Sequence, residues 1–261
     1  MRKLIGKYWV YYVETLCDNC NKTILCNKQS KQRKGYNFCS KTCKCNFYQK
    51  INDPKGANIL ALKDTPNFIY LVGLIAADGN IKWVGCTKSC ITNVCSIELQ
   101  KQDVKILEDI HNMFGGHIYN TKKGTYLWTL HNLEFIKYLR DVVGLSHNKS
   151  LTLDVSYWFK NLTKEQQTHF IRGIFDGDGC ISNGSPSSSG YWYMGICTYS
   201  SKFLEMLIEY FNEYNYKTNK KNEIHFNGSY IIKPFYNIMT DRYLHLHRKY
   251  KKWQQFLTEN I

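Results

Sequence analysis

A chain of 261 residues is long enough to bury one large core or two modest ones. It holds 35 Lys+Arg against 21 Asp+Glu, a net charge of +14 and a pI near 9.2, which points to a polyanionic partner, nucleic acid first. Its longest clean apolar run, Phe68 to Ala77, falls far short of the roughly 20 residues a helix needs to cross a bilayer, so a membrane span is excluded. The start Met1-Arg2-Lys3 is followed by Lys7 and Glu14 instead of an apolar signal core. The expectation is therefore an intracellular protein, in the cytoplasm of a bacterial or phage-infected cell or in an organelle, and not a secreted one. The eleven cysteines then read as reduced thiols or metal ligands, not as a disulfide framework.

Residues 1–50 differ from the rest. Eleven Lys/Arg stand there against Glu14 and Asp18, together with six cysteines: Cys17, Cys20, Cys26, Cys39, Cys43 and Cys45. Cys17-x2-Cys20 followed by Cys39-x3-Cys43 is spacing suited to tetrahedral Zn²⁺. The stretch Tyr36 to Cys43 resembles the second half of a treble-clef zinc finger, in which a cysteine pair opens a short helix. So small a segment builds little core, and a metal would supply its folding energy. We expect a basic zinc module over 1–50 that grips DNA phosphates. Cys26 and Cys45 are surplus, and either can replace one of the four ligands. Asp53-Pro54-Lys55-Gly56 reads as a turn, placing a linker at 51–64.

A first half is expected over 65–148. A helix-like run from Phe68 to Ala77 leads to strands at Asn80–Val84 and Val94–Gln100. A helix follows over Asp103–Phe114, with Val104, Ile106, Leu107, Ile110 and Met113 in helical spacing, ended by Gly115-Gly116. A hairpin around Lys122-Lys123-Gly124 joins His117–Tyr119 to Tyr126–His131, and Leu133–Val143 is a second helix. The second half, 149–261, repeats this order. It has a helix from near Lys164, a strand at Cys180–Asn183, a strand at Tyr191–Tyr199 and a helix at Phe203–Tyr214. A hairpin of Tyr216–Thr218 and Glu223–Phe226 and a helix at Tyr230–Met239 complete it. The fold class is α+β: two pseudo-symmetric α-β-β-α-β-β-α halves plus the small zinc module.

Two short stretches align position by position. Leu71-Val72-Gly73-Leu74-Ile75-Ala76-Ala77-Asp78-Gly79 matches Ile171-Arg172-Gly173-Ile174-Phe175-Asp176-Gly177-Asp178-Gly179, one hundred residues later. Gly73 and Ala77, like Gly173 and Gly177, are spaced i, i+4 on one helical face, where small residues let two backbones approach closely. Two such helices in contact would deliver Asp78 and Asp178 to nearly one point. Adjacent carboxylates stay ionised when a divalent cation sits between them. Mg²⁺ prefers oxygen ligands and keeps several waters, an arrangement suited to phosphodiester hydrolysis. Gly79 and Gly179 fit a helix-ending turn that requires a left-handed conformation.

The duplicated motif resembles the LAGLIDADG homing endonucleases in their single-chain, two-motif form, over roughly residues 65–255. Ala76 stands where the motif name has its first Asp; Asp176 occupies that place in the second copy. Arg172 replaces a small residue and is expected to point away from the helix interface, toward solvent or phosphate. The resemblance implies a monomeric, site-specific, Mg²⁺-dependent endonuclease that cuts both strands of a long asymmetric duplex across the minor groove, leaving short 3′ overhangs. Asp78 and Asp178 would hold the metal, with Ala77, Gly79, Gly177 and Gly179 lining its site. Gln100, Lys101 and His131, and Lys233 from the second half, would surround the active centre. The sheets would lie astride the major groove, with DNA contacts from Lys82, Trp83, Lys88, Glu98, Gln100, Tyr191, Tyr193, Thr198, Lys220 and Lys221. The alternative is a non-catalytic nucleic-acid binder, an RNA maturase or a transcription regulator; the two retained aspartates argue for catalysis. An intein is a third reading, disfavoured because Glu259-Asn260-Ile261 lacks the usual His-Asn ending. His245-x-His247 reads as the end of a basic surface helix, and Cys86, Cys90 and Cys95 as scattered thiols, not a second zinc cluster.

Overall fold

The computed structural model describes residues 2–5, 8–27, 36–84, 86, 92–147, 149–184, 192–219 and 223–260. The chain divides into two units, Met1–Asn58 and Ile59–Ile261.

In the first unit, β1 (Arg2–Ile5), β2 (Tyr8–Leu16) and β3 (Thr23–Asn27) form an antiparallel sheet in that order. Helix α1 (Lys41–Asn52) begins at Ser40, whose hydroxyl accepts the N–H of Cys43. This is the usual way a serine satisfies an orphan donor at a helix start. Asp53 ends α1 and starts α2 (Pro54–Ala57), accepting the Gly56 N–H at 3.0 Å. No residue of α1 is buried. Its apolar contacts are a packet of Tyr36, Phe38, Phe47 and Tyr48, with ring centroids 4.7–6.4 Å apart. The stretch expected as a linker is thus structured: α1 and α2 fill its first part, and a 3₁₀ turn, Ile59–Leu62, opens the second unit.

The second unit contains both halves. The first runs α3 (Pro66–Asp78), β4 (Gly79–Lys82), β5 (Val94–Leu99), α4 (Val104–Phe114), β6 (His117–Asn120), β7 (Tyr126–Leu130) and α5 (Leu133–Lys137), which continues as a π-helical stretch Tyr138–Val143. Short helices α6 (Lys149–Thr152) and α7 (Ser156–Lys160) lead to the second half. There follow α8 (Lys164–Asp178), β8 (Gly179–Asn183), β9 (Trp192–Cys197), α9 (Ser201–Tyr210), β10 (Lys217–Asn219), β11 (Glu223–Asn227), α10 (Ile232–Phe235) and α11 (His247–Asn260). Each half has a four-stranded antiparallel sheet, ordered β4-β5-β7-β6 and β8-β9-β11-β10. Strand alternation sends Ile81, Cys95, Ile97, Trp128 and Leu130 into the core from one sheet, and Ile181, Met194, Ile196, Ile224 and Phe226 from the other.

Helices α3 and α8 form the axis between the halves. Thr65 caps α3 with Pro66 in its first turn, and Thr163 with Gln166 forms a capping box on α8. Every residue of α3 from Phe68 to Ala76 is buried, so it is apolar all round. Small residues make its contact with α8 possible. A Cβ on Gly173 would collide with the Tyr70 carbonyl and lie 2.6 Å from the Leu74 nitrogen, and one on Gly73 would strike the Phe170 carbonyl. A Cβ on Gly177 would strike that of Ala77.

Three sequence expectations change. Gly79 and Gly179 are extended, at φ −75° and −82°, not left-handed. They are glycines because a Cβ would come within 2.6 Å of the Ile75 carbonyl oxygen at one and 2.5 Å of the Phe175 carbonyl oxygen at the other. The helix expected over Tyr230–Met239 is only Ile232–Phe235, after a 3₁₀ turn at Gly228–Ile231. The basic run from His245 is no mere surface helix end, because α11 buries Lys249, Trp253 and Phe256. Trp192 packs edge-on against Phe256 at 5.4 Å and donates to Glu259 at 2.9 Å, fixing α11 to the second sheet.

Gly173→Ala should lower stability by at least about 2 kcal/mol, because the obstructing atoms are backbone and cannot swing aside. Chemical denaturation of the two proteins checks it, and an unchanged midpoint would show that the helices slide apart at little cost.

Candidate active site

The close crossing of α3 and α8 places the ends of both motif helices together. A Cβ built on Gly177 lies 3.3 Å from Asp78 Oδ2, so the Asp78 carboxylate leans over the partner helix. Asp78 and Asp178 are solvent-accessible at the ends of their helices. Burial raises the pKa of Asp78, and Lys249, Lys149 and Arg248 partly oppose it. Burial, and then the Asp78 charge, push Asp178 up to about 6, against the pull of Lys149 and Lys249. Two acids resisting ionisation side by side form a site that welcomes a cation.

Two lysines complete the arrangement. Lys149 Nζ donates to the Ala77 carbonyl at 2.7 Å. Lys249 Nζ donates to the carbonyls of Phe175 at 2.6 Å, Asp176 at 2.7 Å and Gly179 at 2.5 Å, with Gly177 at 3.4 Å. Each ammonium thus meets orphan carbonyls at the C-terminal end of one motif helix, where the helix dipole favours positive charge. Burial lowers both pKa values, Lys249 to about 8, while the nearby aspartates pull them back up. Sequence reading missed this pair, yet a signal was there: Lys149 and Lys249 lie one hundred residues apart, the same interval as Asp78 and Asp178.

The other expected neighbours are all exposed. Gln100 and Lys101 are exposed where β5 ends, His131 is exposed after β7, and Lys233 is exposed on α10. The positive charges acting most strongly on the aspartates are Lys149 and Lys249, with Arg248 and Asp103 also acting on Asp78. Of the backbone groups expected to line the metal site, the Ala77, Gly177 and Gly179 carbonyls face these lysines.

Arg172 does not point to solvent or phosphate: it is 1% exposed. Its Nε donates to the Ile238 carbonyl at 3.0 Å, one terminal amino group donates to the Leu244 carbonyl, and the guanidinium lies over the rings of Tyr70 and Tyr243. The other amino group is 2.7 Å from His169 Nδ1, so that nitrogen accepts and the proton sits on Nε2. Asp176, also buried, accepts from the Tyr70 hydroxyl and the Leu246 N–H, both at 2.7 Å. The two motif positions that are polar only in the second copy therefore hold the irregular chain 238–246, whose carbonyls and N–H groups have no helix or strand to satisfy them. This is why the expected helix stops at Phe235.

On the sheets, Lys82 is exposed on the outward row, with Asn80, Ser96 and Glu98. Glu98 accepts from the Thr125 hydroxyl. Tyr193 shares the outward row of the second sheet with His225 and donates to Glu223. Trp83 is half-buried, with the Arg140 guanidinium 5.6 Å from its ring. Thr198 is buried, its hydroxyl accepting the Ser200 N–H at 3.1 Å, and it does not belong to an outward strand face. Lys88, Tyr191, Lys220 and Lys221 lie outside the described residues.

In the first unit, Cys17, Cys20, Cys39 and Cys43 bring all four sulfurs within 4.8 Å of one another. Cys20 and Cys39 are 3.7 Å apart, and Cys39 and Cys43 3.3 Å. A tetrahedron with zinc–sulfur bonds of about 2.3 Å has edges of roughly 3.8 Å, so the set fits that ion. Among the described residues no other group of three or more His, Cys, Asp or Glu converges this way. Cys95 is fully buried in the core, Cys90 lies outside the described residues, and the rings of His245 and His247 stack on each other at 4.9 Å.

Comparison with known proteins agrees with the repeat. A profile described as LAGLIDADG endonuclease matches residues 71–160, and one described as LAGLIDADG-like domain matches 165–251. The chain belongs to the LAGLIDADG endonuclease family. By that membership it is a DNA-cleaving hydrolase. Among solved structures, I-SmaMI bound to uncleaved DNA with calcium ions is 16% identical, at a TM-score of 0.48 over 73% of this chain and 89% of that one. I-AabMI bound to uncleaved DNA is 18% identical, at 0.49 over 74% and 89%. The I-LtrWI homing endonuclease bound to target DNA is 17% identical, at 0.47 over 73% and 88%. No curated protein matched the sequence. No described helix is long and apolar enough to cross a membrane.

The buried His169 gives this core a pH dependence. Burial, and then the Arg172 charge, lower its pKa to about 4. Between about pH 6.5 and 4 the unfolded chain binds a proton there that the folded chain does not, so stability falls as pH falls through that window. His169→Asn, which keeps an acceptor for Arg172, should flatten the acid limb of a urea-denaturation series. An equal slope in both proteins would refute the assignment of that limb to His169.

Proposed function

We propose that the chain is a Mg²⁺-dependent, site-specific endonuclease acting as a monomer on a long asymmetric DNA duplex. The observation that carries the reading is the pair Asp78 and Asp178, delivered to one point by the two crossing helices and raised in pKa by burial. The donor set fits magnesium: two carboxylates and an open side for water and phosphate oxygens. Bound there, the ion would supply an activated water and charge stabilisation at the leaving oxygen. The chain's own groups do the rest. Asp78 and Asp178 fix the ion relative to both strands. Lys149 and Lys249 are held by helix-end carbonyls with their charge facing the carboxylates, where it lowers the cost of bringing a phosphate in. Two halves with different outward side chains favour a target without twofold symmetry. Lys82 and its neighbours are placed to meet phosphates, which supply affinity, and Tyr193 and the polar row beside it to meet base edges.

We also propose that the first unit is a zinc module with Cys17, Cys20, Cys39 and Cys43 as ligands. Its basic charge suits it to DNA phosphates. Cys26 and Cys45 stand outside the converging set.

Cleavage selection on a randomised duplex library tests the nuclease. With Mg²⁺ the wild-type protein should return one long consensus, and with EDTA nothing. Asp78→Asn or Asp178→Asn should lose at least about a thousandfold in double-strand cutting yet fold and still bind the selected duplex, since the missing charge acts at the metal and not in the core. Undiminished cutting by either variant would refute the site. Retention of DNA or RNA by the wild type without cutting would favour a binder.

Elemental analysis of protein purified without chelator should give about one zinc per chain. A strong chelator should unfold the first unit and leave the second folded. Protein free of zinc but with an ordered first unit would rule the metal out.

A further inference from the structure

We infer that Arg248 is a phosphate-contacting residue of the Asp78 side of the active site, that Asp103 positions it, and that the other side has no equivalent. The inference rests on the endonuclease reading and adds to it a built-in inequality between the two strand cuts.

Asp103 precedes α4 in the first half and is buried, with its side chain 5% exposed. Arg248 comes from the first turn of α11 in the second half. Its Nε donates to both carboxylate oxygens of Asp103, at 3.0 and 2.9 Å. That clamp uses only Nε. The side chain remains 47% exposed, and among the described residues no bond engages its terminal amino groups. A guanidinium held at one edge and open at the other presents two donors in the fork geometry that suits a phosphate.

Arg248 stands one residue before Lys249, whose ammonium sits on the carbonyls at the end of α8 beside Asp178. Arg248 is among the three cations that act most strongly on Asp78, together with Lys249 and Lys149, whereas only the two lysines act so on Asp178. The next residue, Lys249, is anchored on four carbonyls at the end of α8, so the backbone at 248 cannot drift. The N–H of Leu246 on Asp176 and that of Leu244 on Asn67 hold the segment just before it.

The pseudo-symmetric position differs in sequence. The residue before Lys149 is Asn148, which carries no charge. The residue before α9, matching Asp103, is Ser200, and it is committed to its own helix and to Leu153: its hydroxyl accepts from the Phe203 N–H and donates to the Leu153 carbonyl at 2.6 Å. Among the described residues, one side of the site therefore has a clamped arginine and the other shows none. A structural ion pair between halves would affect both cuts alike; a phosphate contact affects the strand it touches.

The test uses the duplex recovered from the selection above, with each strand labelled separately, and full-length protein. Arg248→Gln should slow cleavage of one strand by about tenfold or more, leave the other within about twofold, and accumulate a nicked duplex. Arg248→Lys should restore part of the lost rate. Asp103→Asn should slow the same strand, because Nε loses its anchor. Binding measured with Ca²⁺ and the thermal midpoint separate this from misfolding. Equal slowing of both strands in folded protein, or no slowing, overturns the inference while leaving the nuclease intact. If Arg248→Gln does not fold, Arg248→Lys and Asp103→Asn decide the question on the same strand-resolved rates. Failure of the wild type to cut any library duplex overturns the nuclease reading, and this inference with it.

Discussion

The backbone contact between α3 and α8 is the constraint on which the rest of the second unit depends. Side chains normally keep helix axes 8–10 Å apart. Here Gly73, Gly173, Gly177 and Ala77 let main-chain atoms take the place of side chains in the seam. The gain is positional, because two helices locked this way end at a fixed separation and hand two carboxylates to one place. The cost is electrostatic. Asp78 and Asp178 are forced together against solvation and against each other, and both pKa values rise.

The structure answers that cost with positive charge held in an unusual way. Lys149 and Lys249 are buried, and burial alone disfavours an ammonium. They are retained because each meets helix-end carbonyls that would otherwise lack donors, so one contact satisfies both a helix terminus and a charge. The copies then diverge. Val72 and Ala76 are apolar where Arg172 and Asp176 are buried and charged. That polar pair holds the irregular segment 238–246, which leads directly into α11 and the Lys249 that meets the carbonyls of α8. The departures from the motif in the second copy are thus what let a C-terminal helix serve the site.

The motif helices, the strand order and the four convergent cysteines were legible in the sequence because each rests on local spacing: i, i+4 small residues, period-two strands, C-x2-C and C-x3-C. Residues whose role depends on distant partners were not. Arg172 reads as a surface charge on its own helix, and only the carbonyls of Ile238 and Leu244 make it a core residue. Thr198 reads as an outward strand residue until Ser200 draws its hydroxyl inward. Lys249 lies in a run so basic that no single lysine stands out, although its interval from Lys149 repeats that of the aspartates. Gly79 and Gly179 were legible as glycines with a purpose, but sequence suggested a backbone angle where the cause is a neighbour's carbonyl.

The two units meet the problem of stability in opposite ways, and the metal site proposed for each follows from that. The second unit has a large apolar core that includes Trp128, Trp192 and a set of fully buried phenylalanines. Burial of a large side chain contributes on the order of 1.5–3 kcal/mol, so such a core can carry two strained carboxylates with no metal present. A cation site proposed there can therefore be open, hard and exchangeable, as a reaction centre needs. The first unit has, among its described residues, one buried hydrophobic side chain, Cys17. Its helix buries nothing, and its aromatic packet leaves Tyr36 and Tyr48 exposed. A soft, closed set of four thiolates suits that situation, because the ion's binding energy becomes folding energy and no coordination position is left for substrate. The cysteine cluster is thereby matched to a structural task and the aspartate pair to a chemical one.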